Sequence, residues 1–234
     1  MAVTLMETGA QANADDPIGV GPLHASVYDE LSRRLITGKI TPGVGLSTRG
    51  LALELGVSQM PVRDALSRLS AEGAVVIRSK RKIEVPPMTP DRFTDLLGCR
   101  LLLEPEAAVA ALPLLDTETI RRLRAIDADL DRAIEEGDVI AYMECNHAFH
   151  FGLYRANGRA TLNRLIETLW LRFGPFMSTV YNFYGATQLI DQHRLALEAM
   201  EAGDADGLRA AIASDIADGM GLIGRSGLGE PSLA

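Results

Sequence analysis

Four side chains in the second half of the sequence have the types and spacing to hold a cation. Asn146 and His150, in "NHAFH", are four apart and share one face of a helix. His193 lies ten residues before Gly203 and Asp215 twelve after it. Positions at similar distances from the turn of a helical hairpin stand at similar heights, so these two side chains can face each other. Two imidazoles, a carboxylate and an amide oxygen converging inside a bundle is how helical proteins build metal sites. Mixed nitrogen and oxygen donors suit zinc, nickel, manganese or iron better than calcium. The same residues also have plainer uses. A histidine on a half-apolar helix commonly hydrogen-bonds in the core, Asp215 could pair with an arginine, and Asn146 could bond backbone. His147 faces away from His150 and either packs or meets solvent.

Helices are the elements available to position these groups. From Thr89 onward the pattern is helical throughout: 89–115 opening on a capping Thr89 and Pro90, then 116–137, 139–157, 160–184, 186–204 and 205–224. Six helices with short connections make a bundle. Pro105 and the Gly174-Pro175 pair are expected to bend their helices. Residues 1–21 and 224–234 read as flexible ends.

The first part of the chain has a different character. Net charge is −8, but residues 22–86 hold ten basic and six acidic residues, a local +4. The remaining 13 basic and 25 acidic residues give −12 elsewhere, so one end is suited to a polyanion. Val27, Leu31 and Leu35 mark a first helix. Ser47 or Thr48 caps a second, which Gly56 ends. Ser58 and Pro61 open a third, in which Val62, Ala65, Leu66 and Leu69 face inward. The alternation in "AVVIRSKRKIEVP" predicts two short strands with a basic tip. Three helices and a basic hairpin form a winged helix-turn-helix, in which a helix reads the major groove and the wing reaches backbone or minor groove. The fold class is therefore mostly α: a winged helix-turn-helix at 22–86, then an all-helical domain at 89–223.

The pieces "G-x-I-x-P-G", "LA-x-x-LGVS", "PVR-x-AL-x-RL" and "EG" resemble the GntR family of bacterial transcription regulators. That resemblance implies operator DNA as partner, with Arg49, Ser58, Gln59, Met60 and Arg63 as contact residues, joined by Lys80, Arg81 and Lys82 of the wing. Gln59-Met60 stands where the family often has Arg-Thr, and the wing lacks the usual glycine. The pieces "CRLLLEPEAAVAAL", "NHAFHFGLYRANGRATL" and "DQHRLALEAMEAGDADGLRAAIASD" resemble the FCD effector domain of the FadR branch. This implies a divalent metal on Asn146, His150 and His193, with Asp215 where a histidine is usual. It also implies a small carboxylate effector held in part by Arg100, with Arg172 a second candidate, and a homodimer on two half-sites. A surface ion pair with Glu104 is the plainer role for Arg100.

The two-histidine-one-carboxylate set also raises a non-haem iron oxygenase. No general base, nucleophile or phosphate loop accompanies it, and the DNA reader would be left without a purpose. A regulator with a metal-free pocket is the other alternative. No apolar run reaches the roughly 18–20 residues of a membrane span, and no secretory signal is visible. Cys99 and Cys145 form no CxxC pair, so a reduced cytoplasmic protein is expected.

Overall fold

The structure is a computed structural model that describes residues 22–79, 82–184 and 192–225. The expected tail at 1–21, residues 226–234 of the tail expected at 224–234, and the wing-tip residues Lys80 and Arg81 lie outside the described residues; residues 224 and 225 belong to the last helix. Among the described residues no helix is long and apolar enough to cross a membrane.

The first unit holds α1 (Pro22–Ile36), α2 (Thr48–Leu55) and α3 (Gln59–Ala71), then the strands β1 (Val76–Ser79) and β2 (Lys82–Glu84). Ser47 accepts a hydrogen bond from the Gly50 amide and so fixes the start of α2. Gly56 ends α2 in the left-handed conformation, at φ 66°. Ser58 occupies the N-cap of α3 without a side-chain cap bond. Leu31, Leu35, Val62, Leu66 and Leu69 are buried between α1 and α3. The strands pair antiparallel, Ile77 opposite Ile83. Leu46 adds a bridge to Ile83, a third edge that the alternation pattern does not reveal.

The second unit holds α4 (Pro90–Ala111), α5 (Thr117–Glu136), α6 (Val139–Tyr154), α7 (Ala160–Tyr184), α8 (Gln192–Ala202) and α9 (Ala205–Arg225). Thr89, Asp116 and Asp138 cap α4, α5 and α6 through side-chain oxygens. Pro105 lies inside α4 and Pro175 inside α7, and both helices run on as single elements past them. The inner faces meet around Phe149, Tyr154, Trp170, Phe173 and Phe176, all fully buried.

The two units dock along α7, chiefly through α1. At Gly174 the backbones touch: a Cβ there would lie 2.8 Å from both the Cα and the carbonyl oxygen of Ile36. Arg164 of α7 bonds Glu72 at the end of α3, and Tyr28 donates to the same carboxylate at 2.8 Å. Arg33 of α1 reaches Glu144 of α6 at 2.5 Å. Arg92 donates to the carbonyls of Pro86 (2.6 Å) and Pro87 (3.2 Å), which pins the connection between the units.

Candidate metal centre and nucleic-acid interface

His150 projects from α6 into the bundle and is fully buried. Its Nε2 lies 3.4 Å from Nε2 of His193 on α8 and 3.1 Å from Oδ2 of Asp215 on α9. His193 Nε2 lies 3.8 Å from Asp215 Oδ1. A ligating atom from each of the three falls within 4.8 Å of the others. The α8–α9 hairpin therefore does bring His193 and Asp215 together. Asn146 is buried one turn before His150 on the same face of α6. Asp215 is the partly exposed member, so the group meets solvent on its side.

Burial alone would raise the Asp215 carboxyl. The hydrogen bond from His150 and the charges of His150, His193 and Arg100 instead bring it down to about 2. Phe149 stacks on the His193 ring, with centroids 4.0 Å apart and planes 15° from parallel.

The remaining polar atoms of the group have buried partners of their own. His193 Nδ1 lies 3.1 Å from Oδ1 of Asp127 on α5. His150 Nδ1 lies 2.9 Å from the Tyr154 hydroxyl, which donates to Glu104 at 3.0 Å. Glu104 also accepts from Trp170 Nε1 at 3.1 Å and from Arg100 Nε and Nη2. The Arg100–Glu104 pair is thus not the surface ion pair that its spacing suggested. Its side chains are 4% and 0% exposed, and the guanidinium lies 3.7 Å above the Phe173 ring. A buried pair forms because Glu104 has four donors to satisfy it.

The sequence does not single out Asp127, Tyr154 and Trp170, and it offers Glu104 only as a surface partner of Arg100. Tyr154 had a signal, since it stands four residues after His150, and Glu104 stands four after Arg100. Asp127 had none. Asp127, Asp129 and Asp131 alternate on α5, and only the packing of α5 against α8 selects the first.

Arg172 reaches the first unit. It packs at the seam between the units, its Nε 3.5 Å from where a Cβ of Gly73 would be. Its carbonyl accepts from Arg92 at 3.4 Å. Burial, and then the charge of Arg172, lower Arg92 to about 10. His147 is largely buried against Phe151 and Trp170, at ring distances of 4.4 and 5.3 Å. Its Nε2 is buried without a hydrogen-bond partner. Burial, with smaller effects from Arg155 and His150, lowers its imidazole to about 4.

On the first unit, Arg49, Ser58, Gln59, Met60 and Arg63 are all exposed. Met60 is 61% exposed at the first turn of α3, unusual for a thioether with only intramolecular packing to serve. Lys82 is exposed on the wing and 3.7 Å from Glu84.

The sequence profile of the FCD domain matches residues 95–218, and that of the bacterial regulatory proteins of the gntR family matches residues 23–85. The chain is 28% identical over 204 residues to the HTH-type transcriptional regulator McbR of Escherichia coli K12, covering 86% of this chain and 92% of McbR. It is 25% identical over 193 residues to the gluconate operon transcriptional repressor of Bacillus subtilis 168, covering 75% and 74%. The solved structure of E. coli McbR/YncC superposes with a TM-score of 0.84 at 28% identity, covering 88% of this chain and 99% of that one.

Proposed function

Because the chain belongs to the GntR family of bacterial regulatory proteins, in the branch that carries an FCD domain, we propose that it is a cytoplasmic, homodimeric operator-binding protein that senses a small carboxylate at a divalent metal. Both domains and the relatives are those of transcription regulators, so the histidine-carboxylate group belongs to a regulator and not to an oxygenase. Residues 22–86 form the DNA-reading unit and residues 89–223 the effector and dimerisation unit.

The observation that carries the metal reading is the convergence of His150 Nε2, His193 Nε2 and the Asp215 carboxylate in a largely buried group. These residues and Asn146 would hold the ion. Two imidazole nitrogens and a carboxylate are a donor set for zinc, nickel, manganese or iron. Such an ion would supply a positive centre for the carboxylate of an effector. The hydroxy-acid operon of one relative, the gluconate repressor, supports an organic acid as ligand. Arg100 lines the same polar cluster. It can add to anion capture only through donors that Glu104 leaves available.

On the DNA side, the N-terminal residues of α3 face outward, as a helix entering the major groove requires. Gln59 is suited to adenine, Met60 to a thymine methyl, and Arg49, Arg63 and the wing cations to phosphate or guanine. A homodimer would place two such helices on two half-sites. The effector acts only through unequal affinity for the two arrangements of the DNA-reading units.

The test is elemental analysis of the purified protein, followed by operator titrations with and without gluconate and related hydroxy acids. Bound transition metal and an acid-dependent change in operator affinity are expected. The 3.1 Å contact between His150 and Asp215 favours a second reading, a metal-free pocket closed by that pair. Protein that lacks metal yet still responds to the acid selects it.

A further inference from the structure

The two histidines of the metal centre have their outer nitrogens tied down by different helices. Asp127, a carboxylate, only accepts hydrogen bonds, so the proton on its 3.1 Å contact belongs to His193 Nδ1. The second tie is a chain of two bonds. Glu104 is gripped by Arg100 and by the donor-only Trp170 Nε1, and the Tyr154 hydroxyl hydrogen also points to it. That hydroxyl is left with lone pairs for its 2.9 Å contact to His150, so His150 Nδ1 carries the proton there. In a neutral imidazole with Nδ1 protonated, Nε2 is a bare lone pair. Both Nε2 atoms then face each other at 3.4 Å and face the Asp215 carboxylate at 3.1 and 3.8 Å. Three electron-rich atoms are held against one another in a site from which water is mostly excluded. A positive centre among them relieves the repulsion: a proton on His150 Nε2, hydrogen-bonded to Asp215, in the metal-free protein, or a metal ion in its place.

We infer that Asp127 on one side, and Tyr154 backed by Glu104 on the other, are positioning residues that hold both histidines in the Nδ1-protonated form with their lone pairs aimed at a divalent transition metal. The inference rests on the metal reading and extends it to residues that do not touch the ion. Outer partners of this kind orient the ring and raise its basicity, and their loss typically weakens metal affinity about 10- to 100-fold. Asp127 is the informative position. It sits on α5, with a side chain only 14% exposed, and it reaches no other member of the group among the contacts described.

The experiment uses the full-length protein labelled with 15N-histidine, as wild type and as Asp127→Ala, Asp127→Asn and Tyr154→Phe. Imidazole 15N shifts of chelator-treated protein report the tautomer. Titration of Zn(II) or Co(II) against a chromophoric chelator reports affinity, and the Co(II) visible spectrum reports the donor set. In the wild type, both imidazoles are expected to be protonated on Nδ1. Asp127→Ala should release His193 alone and Tyr154→Phe should release His150 alone, each with metal affinity reduced about 10- to 100-fold. Asp127→Asn keeps an acceptor oxygen and should recover most of the affinity lost in Asp127→Ala. Thermal melting of the metal-free variants confirms that they are folded. Should Tyr154→Phe fail to fold, the Asp127 pair decides alone. Equal affinity in wild type and Asp127→Ala overturns the inference, as does an unchanged 15N pattern in Asp127→Ala. Wild-type protein that takes up neither ion overturns the metal reading instead. The tautomers of the metal-free protein then still judge the positioning claim by themselves.

Discussion

The Nε2 atoms of His150 and His193 stand 3.4 Å apart although the residues are 43 positions apart on helices α6 and α8. Only the packing of the bundle creates that relationship, so it is sensitive to changes in either helix and silent in local sequence. With Asp215 it forms a group that replacement of both imidazoles should abolish. His150→Ala combined with His193→Ala is expected to bring metal content, read by mass spectrometry, to background. Asp215→His, which restores the histidine usual in related domains, should keep the metal. Retention of wild-type metal by the double variant would place the ion elsewhere.

Glu104 should be among the least replaceable residues of the second unit. It is fully buried, and its loss would leave the Arg100 guanidinium buried without a counter-charge. Glu104→Ala is expected to cost about 3 to 5 kcal/mol in urea unfolding, the range for breaking one side of a buried pair. Glu104→Gln should cost less. A loss below that of an ordinary surface substitution would mean that the pair is solvated.

Arg63 is exposed on α3, on the face that the docked second unit leaves open. Arg63→Ala should weaken operator binding by about 1 to 3 kcal/mol, measured by fluorescence anisotropy at fixed salt. Unchanged affinity would remove Arg63 from the interface.

Gly174 should not tolerate a side chain. Its missing Cβ is what lets α7 lie on the backbone of Ile36, and backbone cannot step aside as a side-chain tip can. Gly174→Ala is expected to destabilise by about 1 to 3 kcal/mol, as overpacking does. It should also loosen the docking of the two units, visible as a larger radius of gyration in X-ray scattering. A melting curve and scattering profile identical to wild type would contradict this contact.

His147 provides a pH signature. Its folded value of about 4 lies below the ordinary histidine value, because burial disfavours the charged ring. The unfolded chain therefore binds the extra proton between about pH 6.5 and 4, and stability falls as pH drops through that window. His147→Phe should flatten the fall in chelator-treated protein. The same pH slope in both proteins would assign the effect to another group.

Much of this architecture was legible because local chemistry and global fold agree. Ser47 and Gly56 bracket α2, Thr89 opens α4, and the apolar spacing of α3 leaves Gln59, Met60 and Arg63 outward. His193 and Asp215 were placed together by counting from one turn. What stayed hidden depends on which face of one helix meets another. Arg100 and Glu104 have the spacing of an ordinary surface pair, and nothing local says that α4 turns that face to Trp170 and Tyr154. Asp127 is one of several aspartates on a charged helix, and Arg172 could be assigned to the bundle or to the seam until α7 was oriented. Leu46 joins the wing across 37 residues, beyond any alternation pattern.

One helix, α7, carries both Trp170, whose indole holds Glu104, and Gly174, which rests on bare main chain of α1. They are four residues apart, about one turn of a rigid cylinder. At that one point no side chain separates the two helices, so Gly174 and Ile36 have no rotamer with which to absorb a displacement. A single helix thus joins the buried Glu104 cluster to the first helix of the N-terminal unit.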